Sequence, residues 1–231
     1  MSTLALIAAR GGSKGIPRKN LARVGNRSLV RRAVDSALAS GVCDHIVCST
    51  DDEEIAREAR SAGADVPFLR PAELAGDTVP VLPAIRHAVT QCEERGAIFD
   101  TLIFLQATVP FRTGEEIAQA LELFVEGRHR SVISVCPLER KPHNMFVKRE
   151  GRTLERLIRI PAHTYDNRQE MVDLCRLGNG VYVVSRDDVM NGEMLTPEPT
   201  GYVESDRVRS LDIDDEFDLA LARLIADERG L

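Results

Sequence analysis

A short apolar run near the start of the chain, Leu4 to Ala9, empties directly into a loop, Arg10-Gly-Gly-Ser-Lys-Gly-Ile-Pro-Arg-Lys-Asn20, that mixes glycine with positive charge. A brief apolar run without alternation fits a strand buried on both faces, and such strands belong to parallel sheets covered by helices. The loop sets Arg10, Lys14, Arg18 and Lys19 among Gly11, Gly12 and Gly15. Glycine lets backbone N–H groups approach an anion and the cations neutralise its charge, so the segment reads as a phosphate cradle. It is not a P-loop, because Lys14 is followed by Gly15 where Ser or Thr is needed, and the glycine spacing of the dinucleotide fingerprint is absent. Taken alone, the same residues also suit a glycine-rich turn whose cations are solvated.

Downstream, strand and helix signals alternate. Ser28 caps a helix with Val30, Val34, Ala37 and Leu38 at helical spacing, and Gly41 ends it. His45 to Ser49 reads as a second buried strand, and Thr50-Asp-Asp-Glu53 as a capping box before a helix bearing Ile55, Ala59 and Ala62. Val66 to Ala75 is too broken by proline for either element. Leu82, Ile85, Val89 and Cys92 mark a third helix, with Pro83 in its first turn. Thr101 to Leu105 is a strand running into Gln106, and Thr113-Gly-Glu-Glu116 caps the helix that follows. Ser131 to Cys136 and Gly178 to Val184 are further strands; between them, Phe146 to Leu154 reads as a hairpin turning at Glu150-Gly151. Near the end, Asp212 and Asp214 stand two apart in what starts as a strand, so both would project from one face as a site for a hard cation. Asp214 alone could equally cap the closing helix, whose apolar face is expected to comprise Phe217, Ala220, Leu221, Leu224 and Ile225.

This alternation implies an α/β fold, a mostly parallel doubly wound (Rossmann-like) sheet. With 231 residues there is room for one domain, 1–231, from which the polar, arginine- and proline-rich stretch 137–177 departs as an excursion. A formal charge of −6 disfavours sequence-independent binding of nucleic acid. No apolar stretch is long enough to span a membrane and no signal-peptide pattern occurs, so the expected location is cytoplasmic. Cys43, Cys48, Cys92, Cys136 and Cys175 form no C-x-x-C pair and read as structural thiols.

The segment Ile7 to Asn20 resembles the signature loop of the CMP-sialic acid synthetases, also called acylneuraminate cytidylyltransferases, and the resemblance extends over nearly the whole chain. It implies that the loop wraps the triphosphate of CTP, with Arg10 and Lys19 on the phosphates in a catalytic role and Gly11, Gly12, Ser13 and Asn20 placing the nucleotide. Phe68-Leu-Arg-Pro71 matches a family segment beside the nucleotide, which makes Arg70 a nucleotide contact by resemblance. Gln106-Ala-Thr-Val-Pro-Phe-Arg-Thr113 matches a family motif at Gln106, Thr108, Pro110, Arg112 and Thr113 and departs at Ala107, Val109 and Phe111; the family's glutamine faces the sugar. A neutral amide suits a polyhydroxylated acid because it both donates and accepts. By the same resemblance Asn179 and Gly180 shape the sugar pocket, Asp212 and Asp214 bind Mg²⁺, and Arg168 and Gln169 reach the sugar site of a second subunit, making the excursion a dimerisation element of a homodimer. The implied reaction transfers CMP from CTP to an acidic nine-carbon sugar, a sialic acid-like nonulosonic acid, with release of pyrophosphate. Alternatives are a nucleotidyltransferase for another base or sugar, among them legionaminic, pseudaminic and 3-deoxy-manno-octulosonic acids or a GTP-using enzyme, and a non-catalytic nucleotide-binding protein.

Overall fold

A computed structural model describes residues 1–13, 15–138, 145–158 and 174–231. The elements follow in the order β1 (Thr3–Ala8), β2 (Arg23–Val24), β3 (Arg27–Ser28), α1 (Leu29–Ser40), β4 (His45–Ser49), α2 (Glu53–Ala62), α3 (Val81–Glu93), β5 (Thr101–Gln106), α4 (Gly114–Val125) and β6 (Ser131–Pro137). Then come β7 (Phe146–Arg149), β8 (Thr153–Arg156), β9 (Cys175–Ser185), α5 (Arg186–Asn191), β10 (Thr200–Glu204) and α6 (Glu216–Arg229). Their ends carry the expected local chemistry. The Ser28 hydroxyl accepts from the Arg31 N–H at 3.3 Å to open α1, and Gly41 closes it at φ 67°, a left-handed conformation that costs glycine little. Thr113 and Glu116 cap α4 reciprocally.

The main sheet has six strands in the order β10-β6-β9-β5-β1-β4. Pairing is parallel for β4–β1, β1–β5 and β6–β10, while β9 runs antiparallel to both of its neighbours, β5 and β6. The two-residue period of a strand divides the core into layers. Ala5 and Ile7 of β1, with Ile103 and Leu105 of β5, pack against Val34 and Ala37 of α1, Ile55 and Ala59 of α2 and Ile117 of α4. Leu4, Leu6, Leu102 and Phe104 face the other way, onto Ile85 and Val89 of α3 and Val189 of α5. Helices thus cover both faces, which is the mostly parallel, doubly wound arrangement expected. A third cluster joins Ile16 of the glycine loop, Phe111, Ile213 and Leu219, Ala222 and Ala226 of α6, and clamps the loop against the closing motif. β7 and β8 pair only with each other, as a separate hairpin.

Three expectations are corrected. The cap of α2 is Asp52, whose carboxylate accepts from the N–H groups of Glu54 and Ile55, while the Thr50 hydroxyl, two residues before it, accepts from the Asp52 N–H. No strand forms at Asp212–Asp214: the segment has no ladder partner, and Ile213 N–H donates instead to the Thr108 carbonyl at 2.9 Å. α6 buries Leu219, Ala222 and Ala226 rather than the anticipated stripe, leaving Phe217 75% and Leu224 56% exposed. Both stripes have helical spacing; the one containing two alanines is turned inward, where small side chains let the helix seat against Val24 and Leu29.

Candidate active site

The loop after β1 and the segments after β4 and β5 meet at the carboxyl ends of the parallel strands, where α/β sheets place ligands. They enclose a cleft of about 260 Å³, lined on its charged side by Arg10, Gly12, Ser13, Lys19, Asn20 and Arg70 and on its other side by Phe104, Gln106 and Thr108. Each cation is held. Arg10 Nη1 lies 2.6 Å from Asp77 Oδ1. Arg70, buried, donates from Nε to Ser49 Oγ and from Nη2 to the Ser49 carbonyl at 2.6 Å; burial lowers its pKa from the arginine range and the nearby Asp51 pulls it back. Lys19 Nζ donates to the Ile213 carbonyl at 2.7 Å and lies 3.5 Å from Asp214 Oδ1. The loop approaches that motif closely: a Cβ on Gly15 would stand 2.6 Å from the Asp214 carbonyl oxygen, so only glycine fits. Arg18 enters the turn Lys19–Leu21 at φ 55° and pairs with Glu54. Asn20 Nδ2 donates to the Arg10 carbonyl, which leaves its buried Oδ1 without a partner among the described residues. Gly11, expected to turn its N–H toward an anion, donates it to Asp51 Oδ1 at 2.9 Å. Lys14, Arg168 and Gln169 lie outside the described residues.

The opposite wall comes from β5 and β9. The register between β6 and β9 shifts between Ile133 and Val135, so the residues Gly178 to Val181 leave the ladder there. Within that irregularity Asn179 adopts φ 56°, a conformation asparagine tolerates better than most residues, and such bulges re-aim side chains beside sites. Asn179 Nδ2 donates to Asp212 Oδ2 at 2.9 Å, and the Tyr182 hydroxyl donates to Asn179 Oδ1 at 2.9 Å. Behind this wall, buried Arg112 ties the two strands together: Nη1 donates to the carbonyls of Gln106 at 3.0 Å and Gly180 at 2.7 Å, and Nε to Ser36 Oγ. Burial pushes the Arg112 pKa down to about 10, with Glu116 opposing, so it remains a cation at neutral pH. The Gly180 N–H donates to Ser134 Oγ; both backbone groups of Gly180 thus hold the bulge.

Asp212 and Asp214 line a neighbouring cavity of about 580 Å³ with Arg176, Arg207 and Asp218. Asp215, not Asp214, caps α6, in a reciprocal pairing with Asp218. Asp212 Oδ1 is buried without a hydrogen-bond partner among the described residues, and the Asp214 side chain is 82% exposed. An orphaned carboxylate oxygen beside a solvent-facing second carboxylate fits a hard cation that completes its shell with water and phosphate oxygens, the habit of magnesium. No cluster of three or more His, Cys, Asp or Glu among the described residues would cage a metal by protein ligands alone. All five cysteines are free, and burial pushes Cys48 up to about 12 and Cys92 up to about 11, which makes those two poor nucleophiles.

Asp77, Ser49 and Tyr182 were not anticipated as parts of the site, and Arg112 entered only as a matched motif position without a role. The sequence holds a signal for Tyr182, which falls within the Gly178–Val184 strand, and none for Asp77, whose pairing with Arg10 joins the loop before α3 to the loop after β1.

A doubly wound sheet with a cationic cleft at its carboxyl edge defines a nucleotide-binding α/β protein. Residues 4–157 match the profile of the cytidylyltransferase family, and the chain belongs to that family. It is 31% identical over 230 residues to the post-translational flagellin modification protein B of Campylobacter coli, covering 99% of this chain and 96% of that protein. It is also 31% identical to the CMP-N,N'-diacetyllegionaminic acid synthase of Legionella pneumophila, covering 98% of this chain and 97% of that protein. A solved CMP:2-keto-3-deoxy-manno-octonic acid synthetase complexed with CTP superposes with a TM-score of 0.75 at 15% identity, covering 99% of this chain and 100% of that one, a likeness of fold.

Proposed function

We propose that this chain transfers the cytidylyl group of CTP to a nonulosonic acid and releases pyrophosphate. The observation that carries the reading is the convergence on one cleft of Arg10, Lys19, Asn20 and Arg70 with Gln106, tied through Lys19 to the Asp212–Asp214 segment. The relatives' names point the same way, and that of the Legionella protein makes a legionaminic-type sugar the first acceptor to try.

In this reading the anomeric hydroxyl oxygen of the sugar forms a bond to the α-phosphorus of CTP, the bond from that phosphorus to the bridging oxygen of the β-phosphate breaks, and the hydroxyl proton passes to solvent. Arg10 and Lys19 stabilise the charge that grows on the phosphates and the departing pyrophosphate, in a site where preformed cations need little reorganisation. Asn20 and Arg70, with Gly12 and Ser13, hold the nucleotide; Gln106 and Asn179, braced by Gly180, face the sugar. Asp212 and Asp214 would hold Mg²⁺, which when bound supplies positive charge to the triphosphate. A dimer in which the excursion 137–177 completes a neighbour's sugar site belongs to the same proposal. Its support is the exposed apolar set Met145, Phe146, Leu154, Leu157 and Ile158 flanking and forming the β7–β8 hairpin, more than a free hairpin needs.

The test is pyrophosphate release from CTP, GTP, ATP and UTP in turn, against legionaminic, pseudaminic, N-acylneuraminic and 3-deoxy-manno-octulosonic acids. Release with CTP and a nine-carbon acid is expected. Preference for another nucleotide, or no release with any pair, would overturn the reading.

A further inference from the structure

Between the end of β10 and Asp212 the chain makes one tight turn. Asp206 closes that turn on itself: its Oδ1 accepts from the Val208 and Arg209 N–H groups at 2.8 Å, its Oδ2 from Arg209 Nε at 3.0 Å, and its carbonyl from the Ser210 N–H at 3.0 Å. What ties the closed turn to α4 is Glu116, whose side chain is only 2% exposed. Glu116 Oε1 accepts from the Ser205 hydroxyl, before the turn, and lies 3.6 Å from Arg209 Nη1, within it. Its Oε2 accepts from the Thr113 N–H at 3.0 Å, as the cap of α4 requires. Asp212 therefore stands between two fixed points, the Arg209–Glu116 pair on one side and the Ile213 N–H on the Thr108 carbonyl on the other. A capping box is served as well by glutamine as by glutamate. The negative charge is thus more than the helix cap needs, and burying a carboxylate is costly unless it is paired and hydrogen-bonded. Here the pairing is spent on the segment that leads into Asp212.

We propose that Glu116 is a positioning residue for Asp212: through Ser205 and Arg209 it fixes where the orphaned Asp212 Oδ1 is presented to a divalent cation. It rests on the metal reading above and deepens it, because a carboxylate in a segment without a ladder partner needs some other device to hold its place. Groups behind the ligands of a metal orient those ligands, and here the device acts through the backbone of the turn rather than by touching Asp212.

Mn²⁺ binding to the equimolar complex of protein and CTP, followed by electron paramagnetic resonance well below the thermal midpoint and with no sugar present, tests it without turnover. Glu116→Gln keeps the cap of α4 and deletes the charge, while Arg209→Met keeps Glu116 and deletes its partner. Each should raise the dissociation constant for Mn²⁺ about tenfold, the lower end of what groups behind metal ligands contribute. The double variant should be no worse than the worse single one, because both act through one link. Thr113→Ala weakens the helix cap and leaves the link, so it should lower the thermal midpoint and bind Mn²⁺ as the wild type does. Unchanged Mn²⁺ affinity in Glu116→Gln or Arg209→Met, losses that multiply in the double variant, or an equal loss in Thr113→Ala would each overturn the proposal. A wild type that binds Mn²⁺ no more tightly than Asp212→Asn removes the metal reading and this proposal with it. A failure confined to the Glu116 and Arg209 variants leaves the metal reading standing.

Discussion

The two walls of the cleft are built on opposite principles. On the β1 side, cations already have counter-ions or carbonyls in the protein: Arg10 with Asp77, Arg18 with Glu54, Lys19 with the Ile213 carbonyl and Asp214. Across from them, the wall made by β5 and β9 presents the Gln106 amide beside a chain in which the Tyr182 hydroxyl donates to Asn179 and Asn179 donates to Asp212. A phosphate chain approaching the first wall competes with weak, partly exposed ion pairs, which cost little to exchange. On the second wall Asn179 and Tyr182 cannot reorient without breaking part-buried hydrogen bonds, which is costly. One wall is thus organised by exchangeable charge and the other by fixed hydrogen bonds.

The comparison can be broken or sharpened by experiment. Turnover should be lost when divalent cations are withdrawn with excess chelator and regained on adding Mg²⁺; full activity in the chelator would remove Asp212 and Asp214 from the reaction. Lys19→Ala or Arg10→Ala should lower kcat/KM for CTP by about 10²–10³ with little change in thermal midpoint, the usual scale for deleting one charge-stabilising group. Equal losses of activity and stability would make the loop a structural element instead. Arg112→Met should act on the other wall through stability, by about 3 kcal/mol in urea denaturation, because it strips the donor from two buried carbonyls and Ser36. An unaltered unfolding midpoint would show that water replaces it. Smallest in its bearing on the cleft, Leu219→Ala should cost about 3 kcal/mol and Phe217→Ala less than about 0.5, reversing the order that the sequence stripe suggests.

The sequence by itself determined most of what is written within a few consecutive residues, the Thr50 cap and the strand at Asp212 being the exceptions. The unbroken apolar runs of β1 and β5 predict strands buried on both faces. Ser28, Thr113 and their partners three residues on predict helix starts, and the mixture of glycine and cation after Ala9 predicts the anion loop, because periods, caps and turn chemistry are local. Only the tertiary structure decided what depends on residues far apart in the chain. Lys19 reaches Ile213 and Asp214 because the third core cluster presses the loop onto the closing motif. Asp212 lies outside any ladder because Ile213 is drawn to the Thr108 carbonyl. Two stripes of α6 have the same helical period, and packing against Val24 and Leu29 chose the one with the smaller side chains. The polarity of the Asn179 amide follows from Asp212 and Tyr182, set by an irregular register in β9 that no local pattern announces, since a ladder shift is a property of two strands at once.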